Sequence, residues 1–275
     1  MKIQTLKKGV ILTDMVDFDL EQTLDCGQCF RFFQTDDGAW HGVAGNRPLT
    51  LRKTNDGILF ENITEDEFNG FWRAYFDLDR DYGAVRKGFP DHPALRQSTE
   101  FTPGIRVLKQ DAWEALISFI ISQNNNLKRI KGIIDRLCRN FGQPCGGDFG
   151  FPSPAALACL DEQSLQPLRC GWRAAYILDA ARRVYSGQID LDQIAAMPIT
   201  DSRKALMTIH GVGPKVAECV LLYGMGRLEA FPLDVWMKRA MTGLFPGYTP
   251  ESFGEYAGIA QQYIFHYCRC NPSCL

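Results

Sequence analysis

Two hydrophobic rhythms divide the chain. Over the first hundred residues, apolar positions fall in short β-prone runs at 29–33, 40–43, 49–52 and 58–60. Asp36-Asp37-Gly38, Gly45-Asn46 and Asn55-Asp56-Gly57 lie between these runs and carry hairpin-turn chemistry, so they predict an antiparallel sheet. Residues 65–76 change to helical spacing, with Phe68, Phe71, Trp72 and Phe76 in register. A turn-rich stretch, 90–103, reads as the boundary. Beyond it the pattern is helical. Residues 111–124 put Trp113, Leu116, Ile117, Ile120 and Ile121 on one face, and 128–141 follows. After a Gly/Pro-rich loop at 142–154 come shorter helices at 154–160, 161–168, 173–187, 191–197 and 201–208. Further helices begin near Lys215 and Asp234, and 251–268 closes the chain. The fold class expected is α+β: an N-terminal antiparallel β-sheet domain with a helix over 1–100, then a mostly α-helical domain over 101–275. No internal repeat and no low-complexity tract interrupts this.

Composition adds limits. With 275 residues, 45% apolar and 23% charged, the chain matches ordinary soluble proteins and is long enough for two lobes. No apolar run is long enough for a bilayer, and MKIQTLKKGV lacks a signal-peptide core, so a cytoplasmic protein with no membrane partner is expected. Net charge is −2 but uneven. Residues 1–100 hold 12 basic and 17 acidic side chains, whereas 101–275 hold 18 and 15. Lys128, Arg129, Lys131, Arg136 and Arg139 concentrate the excess. That suits an enzyme with a local DNA-binding face better than a protein that coats DNA.

Ten cysteines without a secretion signal are expected as reduced thiols. Cys26-Gly27-Gln28-Cys29 has redox-motif spacing, but no βαβ pattern surrounds it. Cys268, Cys270 and Cys274 cluster near the end of the chain. No metal and no cofactor is assigned.

The densest chemistry lies in Ile209-His210-Gly211-Val212-Gly213-Pro214-Lys215. Gly211 and Gly213 are free to take positive φ and leave their N–H groups uncovered. Pro214 suits a first helical turn, and uncovered N–H groups at a helix N-terminus attract phosphate. Gly211 and Gly213 with their neighbours are also able to hold a monovalent cation bridging to phosphate. Lys215 then sits at the positive end of a helix dipole, which favours a neutral, nucleophilic amine. Nineteen residues on, Asp234 precedes Val235-Trp236-Met237 in helix N-cap position. Taken alone, the glycine turn also fits a plain helix-turn-helix with an exposed lysine and an ordinary cap.

Turn, lysine and aspartate together resemble the helix-hairpin-helix DNA glycosylases with a Gly/Pro-rich loop and a terminal Asp, and the lysine points to their bifunctional members. Further segments resemble the 8-oxoguanine DNA glycosylases among them. They are Leu24-Asp25-Cys26-Gly27-Gln28-Cys29-Phe30-Arg31, Ser122-Gln123-Asn124-Asn125-Asn126, Gly171-Trp172-Arg173-Ala174 and the last helix from Tyr256 to Phe265. The resemblance covers about 17–265. The helical part is then expected to be the helix-hairpin-helix glycosylase domain.

The resemblance implies a bifunctional DNA glycosylase/AP lyase acting on duplex DNA as a monomer. Lys215 would be the nucleophile, and Asp234 the cap and electrostatic partner. The carbonyl of Gly27 would accept from N7–H of 8-oxoguanine, where guanine offers only an acceptor. Phe265 and Cys219 would sandwich the flipped base, and Gln261 would pair with its Watson–Crick edge. Asn124 would fill the vacated gap. Arg129 and Arg173 would read the widowed cytosine, with Trp172 as a wedge, and Gly211 and Gly213 would hold phosphate. Two departures stand out: Trp172 replaces a tyrosine of close eukaryotic relatives, and Trp236 replaces a histidine. Activity on another damaged or mismatched base, or non-catalytic DNA binding through the hairpin, remain the alternatives.

Overall fold

The computed structural model describes all 275 residues, which pack as two units. One gathers Met1–Gly42, Leu49–Lys109 and Leu228–Leu275, the other Val43–Pro48 and Gln110–Arg227.

The first unit holds most of an antiparallel sheet. Strands β1 (Lys2–Leu6), β2 (Gly9–Thr13), β3 (Phe32–Gln34), β4 (Trp40–Ala44), β5 (Arg47–Lys53) and β6 (Ile58–Glu61) pair in the order β1-β2-β6-β5-β4-β3. The alternation over β4 to β6 was sufficient to predict them. β1 and β2 were not foreseen. β1 is almost wholly exposed, so it carries little apolar pattern and owes its extended state to the ladder Lys2↔Thr13 to Leu6↔Gly9. The run expected at 29–33 starts late, because residues 29–31 are buried irregular chain and pairing begins at Phe32. Against the sheet, the helical stretch expected at 65–76 forms, with a π-turn at Phe68–Trp72. It brings Phe68 and Phe76 edge-on to Phe60, with ring centroids 5.1 and 5.6 Å away.

The stretch read as a turn-rich link contains a helix, Pro93–Phe101. Its prolines mislead because Pro93 starts the helix rather than breaking it, and the His92 ring accepts the Ala94 N–H at 3.3 Å as cap. This helix and Val235–Gly243 pack on the last helix, Ala257–Cys270. Their shared core includes Leu95, Phe231, Met237, Phe245, Phe253 and Ile264.

In the second unit the helix Ala112–Ser122 is buried on nearly every side. It packs against Leu127–Phe141, Arg173–Tyr185 and Pro214–Cys219, and a helix apolar all round belongs in such a centre. Only Gln166–Leu168 is helical within the expected 161–168 segment, because Asp161 turns the chain by accepting the Ser164 N–H at 2.8 Å. The 142–154 loop carries a small hairpin, β7 (Pro144–Cys145) with β8 (Asp148–Phe149). No helix in the chain is long and apolar enough to cross a membrane.

Candidate active site

The hairpin joins helix Ile199–Leu206 to helix Pro214–Cys219, which runs on as a π-turn, Val220–Gly224. Buried Ile209 and Val212 anchor the connection. Gly211 has φ +81°, and a Cβ there would meet the Tyr176 ring at 2.1 Å, so glycine is required twice over. Gly213 differs from expectation: its φ is −93°, with open space around it. Gly211 alone makes the left-handed bend, and the missing side chain at Gly213 leaves the helix start uncovered.

Lys215 follows in the first turn and is half-buried. Its Nζ donates to Ser122 Oγ at 3.3 Å and lies 5.0 Å from the centroid of the Phe119 ring. Phe119 stacks on Tyr223, centroids 5.3 Å apart and 18° from parallel. Cys219, one turn on, is buried. Ser122 and Phe119 had no role in the sequence reading. They lie on another helix, and no local spacing ties them to the lysine.

The residues assigned to the opposite strand cluster in this same unit. Asn124 is exposed and holds φ +47°, and Trp172 is 50% exposed after the left-handed Gly171. Arg173, by contrast, is only 2% exposed. Its guanidinium donates to the carbonyls of Gln123, of Asn124 at 3.1 Å and of Cys170 at 3.2 Å, and stacks 4.3 Å over Trp172. Burial first, and then the nearby Arg129 charge, holds its pKa below the usual arginine value. Arg129 is exposed and reaches the Arg169 carbonyl at 3.5 Å. Tyr176 bridges this loop to the hairpin, edge-on to both Trp172 (5.1 Å) and His210 (4.5 Å).

Of the residues expected at the base, Gly27, Gln261 and Phe265 belong to the first unit. Gly27 lies in a bend at φ +85°, and a Cβ there would touch Phe265 Cε1 at 3.4 Å. The bend is clamped from both sides. Gln262 Nε2 donates to the Cys26 carbonyl at 3.1 Å, and Arg269 donates to that of Asp25 at 2.5 Å. The buried amide of Gln28 donates to Thr23 and Arg106 carbonyls at 2.8 and 2.7 Å and accepts the Leu108 N–H at 2.9 Å. Both thiols of the C-x-x-C spacing donate to backbone carbonyls, and burial pushes that of Cys26 up to about 11, a structural rather than a reactive setting. Gln261 is 3% exposed, with its Oε1 buried and without a hydrogen-bond partner. Phe265 follows one turn later on the same helix.

Asp234 caps helix Val235–Gly243, its Oδ1 accepting the Met237 N–H at 2.8 Å. Lys215 and Cys219 thus belong to the helical unit, and Asp234, Gly27, Gln261 and Phe265 to the other. Within the latter, Cys268 is buried against Cys274. Burial first, then Cys274 and Asp234, pushes its thiol up to about 12. No group of three or more His, Cys, Asp or Glu is arranged to hold a metal ion.

Two family models together match most of the chain. "8-oxoguanine DNA glycosylase, N-terminal domain" matches residues 10–116, and "HhH-GPD superfamily base excision DNA repair protein" matches 117–251. The N-glycosylase/DNA lyase of Saccharomyces cerevisiae is 39% identical over 85% of this chain and 70% of its own length. A probable N-glycosylase/DNA lyase of Methanothermobacter thermautotrophicus is 30% identical over 92% and 94%. The 8-oxoguanine glycosylase/lyase of Clostridium acetobutylicum, solved with double-stranded DNA containing cytosine opposite 8-oxoguanine, superposes with a TM-score of 0.93. It shares 36% identity over 99% of both chains.

Proposed function

This chain belongs to the 8-oxoguanine DNA glycosylases of the helix-hairpin-helix superfamily, and from that we infer that it excises 8-oxoguanine from duplex DNA and then nicks the strand. The observation that carries the substrate is the Gly27 bend, a clamped backbone segment against the Phe265 ring with no side chain to keep a base away. A carbonyl there accepts from N7–H of 8-oxoguanine and faces a lone pair on guanine, so one atom separates damaged from normal base. Gln261 supports the same reading: its buried, unpartnered Oε1 is an acceptor whose desolvation a base N–H would offset. Phe265 and Cys219 supply the two stacking faces.

Lys215, as the neutral amine, attacks C1′ and expels the base. The Schiff base so formed permits β-elimination of the 3′ phosphate. Asp234 orients the start of its helix and stabilises positive charge developing at C1′. The uncovered start of the Lys215 helix, with Gly211 and Gly213, receives a backbone phosphate. Exposed Asn124 and Trp172 fill the vacated gap and wedge the strand. Arg129 and Arg173 read the opposite cytosine, so the preferred partner is duplex DNA with cytosine across from the lesion. The enzyme acts as a monomer in the cytoplasm.

Lys215→Gln tests this chemistry. The amide fills the space but forms no imine, so base release and nicking are abolished while damaged duplex is still bound. A borohydride-trapped adduct on the mutant would assign the nucleophile elsewhere.

A further inference from the structure

Two contacts tie the opposite-strand reader to the nucleophile. Arg173 donates to the carbonyls of Gln123 and Asn124, and Ser122, the residue immediately before them, accepts from Lys215 Nζ at 3.3 Å. Residues 122–124 therefore lie between the two functional side chains. The segment leaves the helix Ala112–Ser122 through Gln123 at ψ 127° and turns through Asn124 at φ +47°. Beyond Ser122 the segment is held by these bonds together with those of the Gln123 side chain to the Ile120 carbonyl and of Asn125 Nδ2 to the Ile121 carbonyl, both at 3.2 Å. Ser122 is itself fixed to the helix end, its Oγ donating to the Phe119 carbonyl at 2.8 Å while accepting from the lysine. The Phe119 ring lies under the same Nζ. In the DNA-free state the lysine is thus parked on one helix end by a hydroxyl and a ring face.

We propose that Ser122 is a positioning residue that makes release of Lys215 depend on the opposite base, through the Arg173–Gln123–Asn124 clamp. This rests on the glycosylase reading above. Arg173 is saturated by three backbone carbonyls. It leaves them only for acceptors of equal quality, and cytosine's O2 and N3 are such a pair on one edge, whereas adenine offers a different edge. Once the guanidinium moves to cytosine, the 123 and 124 carbonyls lose their donor, the segment relaxes, and Ser122 gives up the lysine. Opposite adenine the clamp stays closed and Lys215 stays parked. Selectivity for the partner base then operates on the availability of the nucleophile, in addition to binding.

Removing the hydroxyl should uncouple the two. In Ser122→Ala the lysine is no longer held, so single-turnover excision of 8-oxoguanine opposite adenine should rise about three- to tenfold, the weight of one ordinary hydrogen bond. The cytosine-to-adenine rate ratio should shrink accordingly. Ser122→Thr keeps the hydroxyl and should restore the wild-type ratio. Borohydride trapping of wild type on the cytosine duplex is run alongside. A missing adduct at Lys215 overturns the enzymatic reading and this inference together. With the adduct present, any result in which the adenine rate fails to rise in Ser122→Ala, including a parallel fall on both duplexes, overturns the inference alone.

Discussion

The cap seen at Asp234 and the catalytic role proposed for it are separable by one substitution. Its carboxylate caps a helix, and asparagine caps equally well. Asp234→Asn should therefore leave the unfolding midpoint close to wild type while cutting excision strongly, since the charge opposite the developing cation is gone. Asp234→Ala should lose excision and, in addition, about 1 kcal/mol of stability. Urea unfolding beside single-turnover assays tests this, and an asparagine variant with full activity would remove the charge from the mechanism. Phe265→Ala belongs to the same scale. Stacking is worth about 1–3 kcal/mol per base, so affinity for damaged duplex should fall roughly ten- to hundredfold with undamaged binding retained. Equal losses on both would make Phe265 a core residue. The cap at Asp234 and the left-handed bend at Gly211 were legible in the sequence because their geometry is local. Ser122 and Phe119 were not, because they meet Lys215 across 93 and 96 positions of chain, and no spacing rule spans that distance.

Among the elements, those with a strong internal period were read correctly, such as Ala112–Ser122 and Arg173–Tyr185. Those whose state is imposed from outside were missed. β1 is extended because β2 pairs with it, and Pro93–Phe101 is helical where two prolines suggested a link. The hairpin offers the sharpest test of element-scale packing. Alanine at Gly211 must hold a left-handed backbone, at about 1–2 kcal/mol, and must also push the Tyr176 ring aside. Gly211→Ala should destabilise the protein by about 2–4 kcal/mol. Gly213→Ala, in open space at ordinary φ, should cost little stability and weaken DNA binding instead. Thermal unfolding and duplex titration of the pair separate the two glycines.

For the whole molecule, pH dependence should carry the mark of His266. Burial, followed by the Arg269 charge, lowers its pKa to about 4, and its Nδ1 is buried without a partner. The unfolded imidazole titrates near the usual 6.5, so the folded state binds the proton less readily. Stability is fully present above pH 6.5 and is lost as pH falls from there towards 4, by about 2 kcal/mol at pH 5. His266→Gln should flatten that part of the profile relative to wild type, and matching profiles would place the titration elsewhere.

The clamped bend at Gly27 has a consequence in time. A bend outside regular structure ordinarily exchanges its amide hydrogens within seconds. Here Gln262, Arg269 and Gln28 tie it to the last helix and to residues 106–108, so it opens only when those elements do. Amides of residues 26–28 should accordingly exchange as slowly as those of the helix that holds them, with or without DNA. The template for the damaged base would then be standing before any base arrives, and the search along DNA would cost the protein no rearrangement on this side.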